Sequence, residues 1–171
     1  MILGVDLGTS SCKMVLFDEE GRVVEKTRKE YQVRKPNDGR AEHDPEDWNK
    51  ALRDGLRDIL GNKTIDNSEI RSIGVTGLGR GILFLDEDKV PLRNCILSYI
   101  DSRTDEIESE YSELEWGNSM IFKNLDWIEK REKDVYRQTN FVVDARDYVG
   151  YLLTGELSRN YFGFEQIRLE D

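Results

Sequence analysis

Histidine, cysteine and long apolar runs are all scarce in this chain of 171 residues. His43 is the only histidine, which excludes metal sites built on paired histidines and argues against a serine–histidine–aspartate triad. Cys12 and Cys95 are the only cysteines, too few for a disulfide framework or a thiolate metal site, so we predict both to be reduced and structural. Any chemistry would therefore use carboxylates, hydroxyls, backbone amides and cations.

Positive charge is also in deficit, with 25 Lys and Arg residues against 35 Asp and Glu residues and a net charge of −10. Because no basic patch offsets phosphate repulsion, nucleic acid is not expected as a partner. No apolar run approaches the length of a membrane span, and the chain starts in a strand rather than a signal sequence. We therefore expect no membrane association and a cytoplasmic location. Residues 1–171 are long enough for a single domain with its own core.

The most informative segment that is present lies at the start of the chain, where two short apolar strands flank a turn of small residues. Gly8 lets a ligand approach the backbone, and the hydroxyls of Thr9 and Ser10 add donors to the amides of the turn, which favours phosphate binding. Asp6 at the strand end would repel phosphates unless a cation intervened, which predicts Mg²⁺. An ordinary hairpin is the alternative. The segment is not a Walker loop, because no Gly-x-x-x-x-Gly-Lys-Ser/Thr motif occurs.

Further along the chain, alternation predicts a third antiparallel strand over 23–31 and a surface loop over 32–42. Asp44, Pro45 and the acids that follow predict the start of a helix. We expect one face of this helix to carry its apolar residues, namely Trp48, Ala51, Leu52, Leu56, Ile59 and Leu60. Residues 70–76 then read as a buried strand parallel to the first, because a helix provides the crossover.

The second half of the chain begins with a glycine-rich turn at 77–81, followed by apolar runs at 82–85 and 95–100. Helical patterns occur around 121–128, 135–136 and 145–152. Asp144 is predicted to cap the last of these helices and Gly155 to end it. The order of elements predicts an α/β architecture, a ribonuclease H-like (actin-like ATPase) fold with three antiparallel strands, a parallel strand and flanking helices.

Five blocks of sequence resemble those of the FGGY family of carbohydrate kinases, which includes xylulokinases and glycerol kinases. No single block is specific, but five in the same order over nearly the whole chain make a chance resemblance improbable. They are Asp6-Leu7-Gly8-Thr9-Ser10-Ser11 with Lys13, Ala41 to Trp48, Ile73-Gly74-Val75-Thr76-Gly77 running to Leu85-Asp86, Ile96 to Thr104, and Asp147-Tyr148 through Leu157.

The resemblance implies a kinase that moves the γ-phosphoryl group of ATP to a hydroxyl of a sugar or polyol, in a cleft that closes between two actin-like domains. It implies that the ATP phosphates contact the first block and that Asp6 serves Mg²⁺. Lys13 could add positive charge near the phosphates, or it could simply face solvent. The residues assigned to the phosphates in this way are Gly8, Thr9, Ser10, Ser11 and Lys13.

On the sugar side, the resemblance points to Arg80, Asp101 and Arg103. Pentulose kinases of the family usually carry Gln and then His where this chain has Leu78 and Arg80. A fixed cation there would favour a substrate with negative charge, or Arg80 pairs with Asp101 inside the cleft, and we favour the pairing. Asp101 and Arg103 match an Asp-x-Arg motif and are candidates for hydroxyl binding. Their alternative role is a structural bridge.

The chain departs from the family in length. The catalytic base of these enzymes, an Asp that accepts the proton of the attacking hydroxyl, lies beyond the last residue here, as does the domain that binds adenine and ribose. The segment between Glu106 and Asn118 is also short, and 158–164 lack the usual Asp-rich and Ser-rich strand. Since phosphoryl transfer needs groups from both sides of the cleft, we expect the isolated chain to be inactive and to contain no catalytic residue.

Three readings of the function follow. The first is the N-terminal part of an ATP-dependent and Mg²⁺-dependent sugar or polyol kinase, whose partner is the missing C-terminal kinase domain in cis or in trans. The second is a non-catalytic sugar-binding or regulatory module, or one half of a split kinase. The third, an actin or heat-shock ATPase lobe, does not account for Asp44 to Trp48 or for Asp101-Ser102-Arg103. A homo-oligomer is also possible.

Overall fold

The fold is taken from a computed structural model that describes residues 1–37, 39–107, 116–158 and 167–168, with no side chains described for 116–119 or 167–168. The chain divides into two compact units. Unit 1 comprises Met1–Val33 and Glu46–Leu78, and unit 2 comprises Arg34–Pro45 and Gly79–Asp171. That residues 1–171 act as one kinase-type domain stays a prediction.

Nine strands and four α-helices follow one another along the described residues. The strands are β1 Ile2–Leu7, β2 Ser11–Phe17, β3 Val23–Glu30, β4 Glu42–His43, β5 Ser72–Gly77, β6 Gly81–Leu85, β7 Cys95–Leu97, β8 Phe141–Asp144 and β9 Ile167–Arg168. The helices are α1 Pro45–Leu60, α2 Trp116–Arg131, α3 Lys133–Gln138 and α4 Ala145–Thr154, and short 3-10 turns lie at Asn67–Glu69 and Arg103–Glu106.

Unit 1 is built on a four-stranded sheet of order β3-β2-β1-β5, in which β1 is antiparallel to β2 and parallel to β5. Alternate residues of β1 and β2 are buried on one face, as their period of two requires. Gly55 lets helix α1 approach this face closely, since a Cβ at that position would lie 2.9 Å from the sulfur of Met14. The predicted meander, the crossover helix and the parallel strand are all confirmed.

Two predictions about burial in unit 1 are wrong. The strand predicted over 70–76 forms as β5, but its residues are mostly exposed, because β5 is an edge strand with β1 as its one neighbour among the described residues. Leu60 was placed on the buried face of α1 and is 41% exposed, whereas Ile59 is fully buried. Leu60 is the last residue of the helix. Both errors come from assuming that an apolar side chain in a regular element is covered by its neighbours.

Unit 2 contains a second sheet of order β4-β7-β6-β8-β9 with antiparallel pairing throughout. Its core joins residues of this sheet to helix α2, namely Ile82, Phe84, Ile96, Ile121, Trp127, Ile128 and Val142. The predicted caps of α4 are confirmed. The Asp144 side chain accepts from the Arg146 N–H, and Gly155 ends the helix with a φ of 75°.

The second sheet was only partly anticipated from the sequence. Strands β4, β8 and β9 are too short to give a clear periodic signal, and β4 lies at the end of the predicted loop 32–42. The apolar run predicted over 95–100 is a strand only to Leu97, since the N–H groups of Ile100 and Asp101 turn back to the Leu97 carbonyl. Both cysteines are free and buried, as predicted. Within the described parts of the chain, no helix is long and apolar enough to span a membrane.

Candidate functional site

The β1–β2 turn, defined by Gly8, Thr9 and Ser10, is held by its own backbone and by Tyr31. The Gly8 N–H donates to the Ser11 carbonyl at 2.9 Å, and the Tyr31 N–H donates to the Ser10 carbonyl at 3.1 Å. The Tyr31 hydroxyl donates to the Gly8 carbonyl at 2.6 Å. Thr9 and Ser10 are exposed at the tip. These hydrogen bonds fix the backbone of the turn and leave its tip exposed, as a preformed phosphate site would require.

Ser11 differs from the other predicted phosphate contacts. It is the first residue of β2 and is only 3% exposed. Its carbonyl accepts the Gly8 N–H that closes the turn. We therefore assign Ser11 to supporting the turn rather than to the exposed tip.

A row of polar side chains crosses the sheet next to the turn. Asp6 lies opposite Lys13 on β2 and opposite Thr76 on β5, so the three side chains share one face. The Lys13 Nζ is 3.4 Å from the Asp6 Oδ2, with side-chain exposures of 51% for Lys13 and 42% for Asp6. An ion pair this exposed is weak, so Lys13 and Asp6 can each bind another partner at little cost. Thr76 was not among the predicted site residues, although its position in the register places it beside Asp6.

Gly77 brings the end of β5 close to the end of β1. Its φ is 140°, and a Cβ there would lie 2.2 Å from the Leu7 carbonyl oxygen, so only glycine fits. The next N–H, that of Leu78, donates to the same carbonyl at 2.7 Å. The carboxyl ends of two parallel strands, where ligands bind in many α/β proteins, therefore meet beside Asp6. Glycine directly after an apolar strand was the signal for this junction.

The residues around Asp6 suit a magnesium ion held mainly by water and phosphate oxygens. The described residues include no group of three or more His, Cys, Asp or Glu side chains that could hold a metal. Mg²⁺ in phosphotransfer sites usually takes only one or two carboxylates, so a single half-exposed Asp6 fits that pattern. The nearby Cys12 is no candidate ligand, because burial and then the charge of Asp6 raise the pKa of its thiol to about 11.

In unit 2, the structure brings two of the predicted sugar-binding residues into direct contact. The Asp101 Oδ1 accepts from the Arg103 N–H at 2.9 Å and from its Nε at 2.8 Å. The Oδ2 accepts from the Ala41 N–H at 2.7 Å and from the Arg103 Nη2 at 2.8 Å. These four bonds use the four acceptor positions of a carboxylate. Pairing of Arg80 with Asp101, which was favoured from the sequence, would add a fifth donor to this carboxylate and stays a prediction.

Asp101 and Arg103 belong to a larger charged cluster, defined here as Glu42, Arg93, Asp101, Arg103 and Glu132. The Glu42 Oε1 accepts from both Arg93 and Arg103, the latter at 2.6 Å. Arg93 also donates to both oxygens of Glu132 at 3.0 Å. The side chains of Arg103 and Asp101 are each 1% exposed. The cluster is consistent with the structural bridge that the sequence analysis kept as an alternative, and Glu42 is a member that it did not identify.

The pKa values show the electrostatic balance inside the cluster. Burial alone would raise the pKa of Asp101, but hydrogen bonds from Arg103 and the Ala41 N–H bring it below its usual value. Burial would lower the pKa of Arg103, but hydrogen bonds to Asp101 and Glu42 raise it. Burial, and next the charge of Arg103, lower the pKa of Arg93. The Arg103 guanidinium also lies 5.0 Å from the centre of the Trp127 ring.

Arg80 is placed differently from Asp101 and Arg103. Its φ of 76° lies in the left-handed region that non-glycine residues rarely adopt. Its N–H donates to the Asp144 Oδ2 at 3.3 Å, and its carbonyl accepts from the N–H and the hydroxyl of Ser98. Asp144 also binds Arg146, and its hydrogen bonds raise the pKa of that guanidinium. The backbone of Arg80 is therefore fixed in a conformation that its residue type does not favour.

Comparison with known proteins identifies the family of the chain. Residues 1–162 match the family model described as the FGGY family of carbohydrate kinases, N-terminal domain. A xylulose kinase from Bacillus subtilis (strain 168) is 28% identical over an alignment of 172 positions. The alignment covers 94% of this chain and 34% of the relative.

Solved structures agree with the sequence match. A xyloylose kinase from Brucella ovis aligns with a TM-score of 0.79 and 33% identity, covering 90% of this chain and 34% of that one. A xylulose kinase from Rhodospirillum rubrum aligns with a TM-score of 0.75 and 29% identity, covering 90% and 34%. The predicted fold class is thereby confirmed. The chain spans about a third of the length of the proteins it matches.

Proposed function

The chain belongs to the FGGY family of carbohydrate kinases, and from this premise we propose that it is the phosphate-binding and sugar-binding N-terminal part of an ATP-dependent sugar or polyol kinase. The observation that carries the proposal is the β1–β2 turn, whose exposed tip lies beside the row formed by Asp6, Lys13 and Thr76. Xylulose is the natural first substrate to test, because the relatives compared above are named xylulose or xyloylose kinases.

In this proposal, the exposed tip of the turn binds the phosphates of ATP through the N–H groups and hydroxyls of Thr9 and Ser10, and Lys13 leaves Asp6 to add positive charge to them. Asp6 holds Mg²⁺ through water, and the ion supplies neutralisation of phosphate charge. Tyr31 keeps the turn in place by its bonds to Gly8 and Ser10. Each of these groups binds or orients phosphate, and none takes the proton from the sugar hydroxyl.

On the sugar side, Arg80 is proposed to contact the substrate, as the sequence resemblance implies. Asp101 and Arg103 contribute to sugar binding mainly by fixing the loop around Ala41, since their polar atoms bind one another and Glu42. Arg80 would confer a preference for a substrate with an anionic group. The kinase is proposed to act in the cytoplasm, where ATP is available and buried thiols such as Cys12 and Cys95 stay reduced.

The catalytic base and the adenine-binding domain are proposed to come from a C-terminal kinase part, in cis or in trans, because the chain matches only 34% of its relatives. The isolated chain should therefore bind MgATP without turning over sugar. A steady-state assay with ATP and a panel of pentuloses, polyols and sugar acids tests this expectation. Robust turnover that copurifies with the chain would contradict it.

Phosphate binding is tested by thermal unfolding with MgATP. A nucleotide at about 100 times its Kd should raise Tm by about 5 °C or more, and adenosine should not. Ser10→Asp places a negative charge at the exposed tip and should weaken MgATP binding at least about tenfold. Asn37→Asp adds the same charge at an exposed loop of unit 2 and is the matched control. Equal weakening by both variants, or none by either, would refute the site.

A further inference from the structure

A pocket of about 540 Å³ lies in unit 2, between the loop that precedes β4 and the turn that follows β7. It is called here the Arg40 pocket and is defined by the residues that line it, which are 35–37, 39–41 and Ile100. None of these residues belongs to the β1–β2 turn or to the charged cluster. The volume lies in the range of about 300–1,000 Å³ that is usual for sites of small molecules.

Backbone hydrogen bonds hold the loop of the Arg40 pocket against the turn after β7. The Gly39 carbonyl accepts from the Ser102 N–H at 2.8 Å, and the Ala41 carbonyl accepts from the Leu97 N–H at 3.0 Å. Gly39 has a φ of 75°, and a Cβ there would collide with the Ser102 hydroxyl, so the close approach of the two segments requires glycine. The pocket is therefore preformed, which lowers the cost of binding a ligand.

Arg40 has hydrogen-bonding capacity that the chain does not use. Its side chain is 14% exposed, and its guanidinium packs over the Trp127 ring at 4.7 Å. The Nη2 donates to both oxygens of Glu106, at 2.9 and 3.1 Å. The Nη1 is buried and has no hydrogen-bond partner among the residues that the structure describes. Such an orphaned buried donor is uncommon, and an acceptor that bridges both nitrogens would satisfy it.

The ion pair between Arg40 and Glu106 can be exchanged for a ligand. The Glu106 side chain is 49% exposed, so the pair contributes little to stability. Trp127 is 6% exposed and belongs to the core of unit 2, so its ring would keep the guanidinium in place when Glu106 leaves. An anion that replaces Glu106 can bind Nη1 and Nη2 together, whereas Glu106 binds Nη2 alone.

The other lining residues indicate the class of this anion. Lys35 is exposed and supplies a second positive charge, and the lining residues that the structure describes include no Asp or Glu. Two cations suit a phosphate monoester, which carries a charge of about −1.5 to −2 at pH 7, better than they suit a single carboxylate. Ile100 is 49% exposed and offers apolar surface to a carbon skeleton. The pocket therefore favours a small organic phosphate over a bare ion.

We propose that the Arg40 pocket binds a small phosphate monoester, whose phosphate group replaces Glu106 on Arg40 and whose carbon skeleton packs on Ile100. The inference goes beyond the proposed function, because it uses residues of unit 2 alone and does not depend on the β1–β2 turn. The bound compound would also act on the charged cluster, since Ile100 precedes Asp101 and the Ala41 N–H donates to the Asp101 carboxylate.

NMR titration of the ¹⁵N-labelled chain with ribose 5-phosphate tests the proposal. We expect saturable shifts of the amide signals of 39–41 and of the Arg40 Nε–H, with a Kd of about 1 mM or lower. Ribose, and ribonate as a carboxylate of similar size, should bind at least about tenfold more weakly. Inorganic phosphate should bind at least about threefold more weakly, because it has no carbon skeleton to pack on Ile100.

Two pairs of variants at exposed positions assign the binding to Arg40 and Lys35. Glu106→Gln removes the competing carboxylate and should tighten binding about threefold or more, whereas Asp105→Asn removes the same charge next to it and should have a smaller effect. Lys35→Gln should weaken binding about fivefold. Lys133→Gln, which alters an exposed lysine of α3, is the matched control and should leave the Kd unchanged.

The two charge variants described for MgATP separate this pocket from the β1–β2 turn. Asn37→Asp adds a negative charge to the Arg40 pocket and should weaken ribose 5-phosphate binding at least about fivefold, without affecting MgATP. Ser10→Asp should have the reverse effect. Loss of ribose 5-phosphate binding in Ser10→Asp but not in Asn37→Asp would place the phosphate on the turn and overturn the inference.

Other outcomes would also overturn the inference. They are the absence of a saturable shift at 39–41 up to about 10 mM ribose 5-phosphate, equal affinity for ribonate or inorganic phosphate, and equal effects of Glu106→Gln and Asp105→Asn. MgATP binding is measured separately. A chain that binds MgATP but not ribose 5-phosphate would retain the proposed function and lose only the Arg40 pocket as a site.

Discussion

The Asp6–Lys13 pair beside the β1–β2 turn of unit 1 and the charged cluster of unit 2 both come from sequence blocks that resemble the same family, but the first is exposed to solvent and the second is buried. Asp6 and Lys13 are about half exposed and meet at 3.4 Å. Asp101 and Arg103 are 1% exposed and joined by three hydrogen bonds. The exposed pair can be exchanged for a ligand at small cost, whereas opening the buried pair would leave desolvated charges. A matching motif therefore does not by itself distinguish a binding residue from a structural one.

The strongest test of this contrast is Arg103→Met, which should destabilise unit 2 by about 3–5 kcal/mol. The change removes the guanidinium that lies over the Trp127 ring and leaves Glu42 and Asp101 buried with a missing partner. Urea unfolding monitored by hydrogen exchange of β6 and β7 gives the size of the loss. Arg137→Met removes an arginine that is 73% exposed and should cost less than about 0.5 kcal/mol. If the two variants cost the same, the cluster does not hold unit 2 together.

In unit 1, the junction of β1 and β5 depends on close packing of the backbone rather than on charge. Gly77→Ala should therefore lower the free energy of unfolding by about 2–3 kcal/mol. The new Cβ would meet the Leu7 backbone at a φ of 140°, so the junction of β1 and β5 must shift. Gly74→Ala, three residues earlier on the same strand, meets nothing within 4 Å and should stay within about 0.5 kcal/mol. Unfolding of both variants in urea separates the two expectations. Equal stability of the variants would show that the glycine is replaceable.

The contrast between the two regions also marks what the sequence could predict. Local signals located the hairpin, the start of α1 at Pro45 and both caps of α4, because each depends on a few adjacent residues. The bonds among Glu42, Arg93, Asp101 and Arg103 join residues up to 61 positions apart, and no local pattern reports such a network. The exposure of β5 was missed for a related reason, since an apolar strand reads the same whether or not another element covers it.

Lowering the pH should reduce the free energy of unfolding by less than the two substitutions above. Asp101 in unit 2 should contribute more to this loss than Asp58 in unit 1. The folded pKa of Asp101 lies below its usual value of 3.8, so its stabilising contribution is complete above that value and is lost as the pH falls through the folded pKa. Asp101→Asn should therefore flatten the dependence of the unfolding free energy on pH below about 4. Asp58 also has a lowered pKa, from hydrogen bonds with Lys29 and Thr27, but it is exposed on α1.

Asp58→Asn is the matched comparison for the acid titration, measured by urea unfolding at closely spaced pH values. Solvent screens Asp58, so its replacement should change the pH dependence less than Asp101→Asn does. A larger change from Asp58→Asn would show that exposure does not determine how strongly these carboxylates couple to folding.

The smallest effect on stability is expected for the exposed ion pair of Asp6 and Lys13 beside the β1–β2 turn. A double-mutant cycle of Asp6→Asn and Lys13→Met should give a coupling energy of no more than about 0.5–1 kcal/mol, which 1 M salt should abolish. Lys13→Met alone should leave folding nearly unchanged and still weaken MgATP binding, because its cation serves the ligand rather than the fold. A coupling energy above about 2 kcal/mol that persists in salt would mean that Asp6 and Lys13 form a structural pair like Asp101 and Arg103. Such a result would contradict the proposal that the exposed turn beside them is the phosphate site.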